Sequence, residues 1–191
     1  SNHKEIAKIP MHEFHDTGVN SFFRVISANL NNQNMLADRK ANILISINTV
    51  ALSLLIGSSA RNIDNWKNLF LPTIVLVCTL LVTTVLAVWA TRPNIRKGNI
   101  SQEDLDNKKS NLLFFGNFTN LSLEDFEDAM LTVLKEDQYL FRTILADCYG
   151  QGKVLNRKYL LLKYAYDIFL VGMILSVILF VVFLKLDIRL A

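Results

Sequence analysis

Most of the residue patterns that announce catalysis are missing from this chain of 191 residues, which holds two cysteines and three histidines. Cys78 and Cys148 stand far apart with no metal-ligand spacing, so a disulfide framework and a zinc site are excluded and both read as free thiols. There is no Walker loop, no glycine-rich dinucleotide turn, no GxSxG elbow and no usefully spaced cysteine-histidine pair. His12 and His15 form the one histidine cluster, with Glu13 and Asp16 beside them. A metal needs further ligands, and with His3 as the only other histidine an HD phosphohydrolase centre is not assembled. The chain is therefore read as a non-enzyme without cofactor or metal. Its net charge of +3 is mild and gives no support to a nucleic-acid partner. No short apolar stretch ahead of a small-residue cleavage site opens it, so no removable signal peptide is expected.

What is present in quantity is hydrocarbon. Half of the residues, 51%, are apolar, and the charges fall in blocks between uncharged runs. A helix crossing a bilayer needs about 20 apolar residues, because every backbone polar group must be paired inside the segment. Three runs meet that demand: residues 41–60, 69–91 and 165–184. Pro72 sits in the first turn of the second run, where a missing amide donor costs nothing, and Trp66 and Trp89 mark its ends as interfacial anchors. Tyr164 and Tyr166 do the same for the third. Basic residues flank the runs on one side: Arg39 and Lys40, then Arg92, Arg96 and Lys97, then Arg157, Lys158 and Lys163. The positive-inside rule puts these flanks in the cytosol and the 185–191 tail outside.

The fold class expected is all-α, a three-span membrane protein with a helical cytosolic domain. Residues 1–18 form a polar N-terminal segment. Residues 19–40 lack glycine and proline, and Val19, Phe22, Phe23, Ile26, Leu30 and Leu36 recur at helical spacing, predicting an amphipathic helix continuous with span one. The 92–164 segment is too long for a structureless connection and should fold. Ser101 with Asp104, and Ser122 with Asp125, resemble helix-start caps, and Glu124, Asp125, Glu127 and Asp128 suit the positive end of a helix dipole. Leu123, Phe126, Met130, Val133 and Leu134 then supply an apolar face. A further helix over 138–149, with Leu140, Ile144 and Leu145, is expected to stop at Gly150 and Gly152, and another to run from Val154 into span three.

Two features stand out. Span one carries Asn42, Ser46, Asn48, Thr49 and Ser53, so one side of it is polar, and Asp38 lies beside Arg39 and Lys40 at its entrance. The cations have an ordinary explanation as snorkelling residues, whereas the carboxylate points to an ion pair with a neighbouring helix or to a polar pocket. Arg157 and Lys158 enter the membrane from the same side, so a basic pocket for a phosphate or a lipid headgroup is one reading. Between the cytosolic helices, Phe114, Phe115 and Phe118 surround Gly116, either as an aromatic plug or as a ligand-stacking loop.

Leu-Ala-Asp-Arg-Lys-Ala-Asn-Ile-Leu-Ile-Ser-Ile-Asn from Leu36, Ala-Thr-Arg-Pro from Ala90, Asn-Leu-Leu-Phe-Phe-Gly-Asn-Phe from Asn111 and Arg-Lys-Tyr from Arg157, in that order, resemble the Pycsar transmembrane effector domain of bacterial anti-phage systems. The resemblance runs from about residue 20 onward. It implies an effector in the bacterial inner membrane, functionally linked to a pyrimidine nucleotide cyclase. Such an effector answers cyclic UMP or cyclic CMP by impairing the membrane, which ends growth. On that reading Arg39, Lys40, Arg157 and Lys158 are candidate phosphate contacts, and Phe114 or Phe115 is available to stack on the base. The polar side of span one, Asp38, Asn42, Ser46, Asn48 and Ser53, is costly against lipid and is satisfied by facing other helices or a water-filled path, as in a pore-forming homo-oligomer. Relatives often carry an upstream HD-type phosphohydrolase domain, which supports an alternative reading as a membrane anchor and oligomerisation module for a separate or upstream enzyme.

Overall fold

The computed structural model describes residues 16–59, 69–93 and 111–190. The histidine cluster, the Ser101 cap, Trp66 and the basic pair Arg96 and Lys97 lie outside them. All regular structure among the described residues is helical: α1 (Asp16–Ser59), α2 (Phe70–Thr91), α3 (Phe115–Phe118), α4 (Leu123–Lys135) and α5 (Asp137–Leu190). Three of these, α1, α2 and α5, contain stretches long and apolar enough to cross a membrane. The chain divides into two compact units, one made of residues 1–33 and 93–154, the other of residues 34–92 and 155–191.

In the first unit the sequence builds a small core around one capped helix. Ser122 is the N-cap of α4 and accepts a hydrogen bond from the Asp125 amide at 3.1 Å, while its hydroxyl donates to the Asp125 carboxylate at 2.7 Å. The serine cap expected from the sequence is made, while the Asp125 carboxylate takes the serine hydroxyl in place of the backbone amide that a full capping box would engage. Leu112, Val133 and Tyr139 are buried, and Phe118, Leu121, Ala129, Met130 and Leu140 close around them. The segment 111–118 is held by its own asparagines: Asn111 Oδ1 accepts from the Leu113 amide, and Asn117 Nδ2 donates to the Asn111 carbonyl at 2.7 Å. Gly116 is buried. Phe118 meets Phe126 at 4.8 Å between ring centroids, and Phe23 meets Phe141 at 5.7 Å. The expected apolar face of α4 is only partly used, since Leu123 is 72% and Leu134 59% exposed.

One expectation fails in this unit. The helix predicted to stop at Gly150 and Gly152 runs through both, and α5 continues unbroken to Leu190. Glycine ends a helix when the chain needs a left-handed residue there. Neither glycine takes such a conformation, and a β-carbon at either would meet nothing within 4 Å. Each costs about 1 kcal/mol relative to alanine, which a helix anchored by packing on both sides tolerates.

The second unit is a three-helix bundle built through small side chains. Ala37, Ala41, Leu44 and Asn48 of α1, spaced by four, three and four residues, form one buried row. Leu80, Thr83, Ala87 and Ala90 of α2 form another, and Leu162, Ala165 and Ser176 of α5 a third. At the tightest crossing, a β-carbon on Gly172 would lie against the side chain of Thr79, 2.8 Å from its Cβ. Gly172 and Ser176 thus act as a small-xxx-small pair that lets backbones approach. The opposite face of α5 carries Leu170, Val171, Ile174, Val177, Ile178 and Val181, each between 50% and 65% exposed. Each such side chain left in water forgoes about 1.5–3 kcal/mol. Six of them approach the whole stability of a typical domain, about 5–15 kcal/mol, so this face needs apolar surroundings such as lipid supplies.

Gly172→Ala should therefore destabilise the bundle by about 1–3 kcal/mol through overpacking against Thr79, and Gly172→Leu by more. The same change at Gly152, which has open space, should be neutral or stabilising. Unfolding midpoints in detergent check the contrast, and equal effects at the two glycines would contradict it.

Candidate functional site

The basic flank of the bundle is organised by one ammonium group. Lys158 of α5 donates to Asp38 Oδ1 at 2.8 Å and to Asn34 Oδ1 at 2.7 Å. Asn34 and Asp38 are four residues apart on α1, so their side chains lie one above the other and form a fork for a single cation. The Lys158 side chain is 14% exposed and that of Asp38 39%. The unexplained carboxylate of the sequence is thus the α1 half of an ion pair between helices.

Two residues further along α1, Lys40 begins a second cluster. Its Nζ lies 5.6 Å from the ring centroid of Tyr159, and its carbonyl accepts a hydrogen bond from the Tyr166 hydroxyl at 3.0 Å. Lys40, Tyr159, Leu162, Lys163 and Tyr166 together line an open cleft of about 470 Å³. Leu162, 3% exposed, is its floor. On α5 the spacing Tyr159, Leu162, Lys163, Tyr166 keeps all four on adjoining rows of one face. Of the four cations singled out in the sequence, Lys40 lines this cleft and Lys158 is engaged by Asp38. Arg39 and Arg157 are exposed and do not line it. Phe114 and Phe115 belong to the other unit, where their rings pair at 5.1 Å. Lys163, Tyr159 and Tyr166 were not among the residues assigned to a site from sequence, although the three-one-three spacing around a leucine was there to be read.

Within the membrane-spanning part, the polar residues of span one do not share a side. Asn48 is fully buried and its Nδ2 approaches Thr83 Oγ1 at 2.8 Å, Thr84 Oγ1 at 3.0 Å and the Leu80 carbonyl at 3.3 Å. Both threonine hydroxyls already donate to carbonyls of their own helix, Thr83 to Thr79 and Thr84 to Leu80. They are left as acceptors, so the amide nitrogen must face them, and Asn48 Oδ1 is buried with no hydrogen-bond partner. Asn42, Ser46, Thr49 and Ser53 follow one another by four, three and four residues along another face, and all four are exposed. At about 100° per residue, Asn48 lies more than a third of a turn away from that row, which corrects the single polar face expected from sequence.

The Pycsar effector protein domain family matches residues 22–184, well over half of the chain. The chain belongs to that family. No curated protein and no solved structure matches it. As a Pycsar effector it is an anti-phage defence effector, and the three apolar helices place it in a membrane. The matched residues include the Asp38–Lys158 pair, the cleft, Asn48 and the exposed polar row of span one.

Two expectations concern these contacts in the Pycsar effector. A double-mutant cycle on Asp38→Asn and Lys158→Met should give a coupling of about 1 kcal/mol, at the upper end for a partly exposed pair. A coupling indistinguishable from zero in a denaturant series would remove the pair as a link between α1 and α5. Asn48→Leu should change stability by less than about 1 kcal/mol, because the lost amide contacts are offset by removal of an orphaned acceptor. Asn48→Asp, which replaces the donor by a second acceptor, should cost several kcal/mol.

Proposed function

We propose that the protein is a membrane-permeabilising effector, not an enzyme, switched on by cyclic UMP or cyclic CMP supplied by a pyrimidine nucleotide cyclase. The observation that carries the reading is the exposed row Asn42, Ser46, Thr49 and Ser53 along span one, set among the equally exposed Ile43, Ile47, Val50 and Leu54. Thr49 and Ser53 soften the cost by donating to the Ile45 and Thr49 carbonyls. Asn42 has no partner among the described residues, and an unpaired amide against hydrocarbon costs several kcal/mol. A homo-oligomer in which these rows meet one another, or line a water-filled path, relieves that cost.

In this reading the first unit, residues 1–33 and 93–154, faces the cytosol of a bacterial inner membrane and the C-terminus lies outside. Ligand opens the assembly only in proportion to its preference for the open form. Moving a closed-to-open ratio from 99:1 to 1:99 takes roughly a 10⁴-fold difference in affinity, about 5.5 kcal/mol. Spread over several subunits, that is a modest demand on each site. A second reading, an anchor that recruits a soluble partner, is favoured by the exposed Phe22, Leu123, Leu134 and Tyr149 of the first unit, each 59% exposed or more.

Purified protein in dye-loaded liposomes should release dye on addition of cyclic UMP or cyclic CMP and stay tight without either. Ser46→Leu with Thr49→Leu should reduce release at least tenfold while leaving insertion intact. Insensitivity of the assembled protein to both nucleotides would refute the reading, and co-purification of a soluble partner with no leakage under any ligand would favour the anchor.

A further inference from the structure

We infer that the cleft between α1 and α5 lined by Lys40, Tyr159, Leu162, Lys163 and Tyr166 is a binding site for a phosphodiester anion at the membrane boundary. Lys40 immediately precedes the apolar stretch of span one and Lys163 that of span three, so both ammonium groups lie at the level where headgroup phosphates and dissolved anions meet. Snorkelling alone would place them there. What snorkelling does not explain is their convergence, from two different helices, on one concavity with a buried leucine floor and two phenol rings in its walls. Among the described residues no carboxylate comes within 4.0 Å of either ammonium, including Asp167 one turn beyond Lys163. The neighbouring Lys158, by contrast, is fully engaged by Asp38 and Asn34. The flank thus separates one cation held in a direct ion pair from two that, among the described residues, make none.

The class of ligand follows from the wall chemistry. A phosphodiester spreads one charge over two free oxygens, one for each lysine, and keeps two organic arms that prefer apolar or aromatic surfaces to water. Tyr166 donates its proton to the Lys40 carbonyl, so its ring is fixed in place as a wall. Two molecules share this chemistry: an anionic phospholipid headgroup and a cyclic mononucleotide. For the nucleotide the inference rests on the proposed function; for the lipid it stands without it. Either anion, held by Lys40 on α1 and Lys163 on α5, ties the two helices together beside the Asp38–Lys158 pair.

The test uses the full chain in dodecyl maltoside, a detergent without phosphate. Phosphatidylglycerol is titrated in one arm, with retention read by native mass spectrometry, and cyclic UMP and cyclic CMP in the other by calorimetry. At least one should bind the wild type, and bind at least tenfold more weakly to the Lys40→Gln/Lys163→Gln variant. Binding of phosphatidylglycerol alone assigns the cleft to a headgroup, and binding of a cyclic nucleotide assigns it to the signal. Absence of binding in both arms, or equal affinity for wild type and variant, overturns the inference. A second readout on the wild type guards against a variant that disturbs the bundle. The bound ligand should slow acetylation of Lys40 and Lys163 at least fivefold while leaving the exposed Lys135 unchanged, and unaltered rates at both lysines also overturn the inference. Nucleotide-triggered dye release that persists in the double variant would keep the proposed function and remove the nucleotide from this cleft.

Discussion

Close approach of helix backbones is the constraint on which the membrane half of this protein depends. Between helices in lipid there is no gain from burying hydrocarbon, since the surrounding tails are as apolar as leucine, so association rests on packing and on polar contacts made at short range. Ala37, Ala41, Ala87, Ala90, Ala165 and Gly172 remove the side-chain bulk that would hold the helices apart. Everything polar in the bundle then follows from distance. Asn48 reaches Thr83 and Thr84 because Leu44 of α1 and Ala87 of α2, each one turn away toward the same end of the bundle, are buried in one cluster. The Lys158 ammonium reaches α1 because Ala37 and Leu162 belong to that same cluster. Larger residues in the seam would leave each of these groups stranded.

The polar contacts contribute little stability by themselves. Their contribution is register, because a fork of Asn34 and Asp38 accepts Lys158 in one position, and a slip of one helical turn would leave a charge unpaired. Asn48 works in the same way from the middle of the bundle, at the cost of one oxygen without a partner. A packed interface with an orphaned acceptor is not at the energetic floor of its fold.

Most of the architecture was legible in the sequence because it depends on properties that one residue at a time can carry. Three long apolar runs, proline near the start of the second, and serine three residues ahead of an aspartate specify spans and a helix cap without knowledge of neighbours. What escaped depends on phase and partnership. Asn48 and Asn42 look alike in a run of aliphatics, yet one faces α2 and the other faces outward. Lys163 and Tyr166 looked like flank and belt until Lys40 of another helix was found on the same cleft. Gly150 and Gly152 looked like a stop because the signal for termination and the signal for a weakened but continuous helix are the same residue; only the packing on either side distinguishes them.

Those two glycines give α5 an uneven stiffness. A helix of 54 residues is a rod whose resistance to bending comes from its hydrogen-bond ladder and from the side chains stacked along its turns. Between Tyr149 and Lys153, two positions offer no side chain to stack, and the space around both is open. The compliant point falls just before Val154, where one compact unit ends and the next begins at Leu155. The other long helix, α1, has no glycine between Gly18 and Gly57, so its ladder carries no such weakened point.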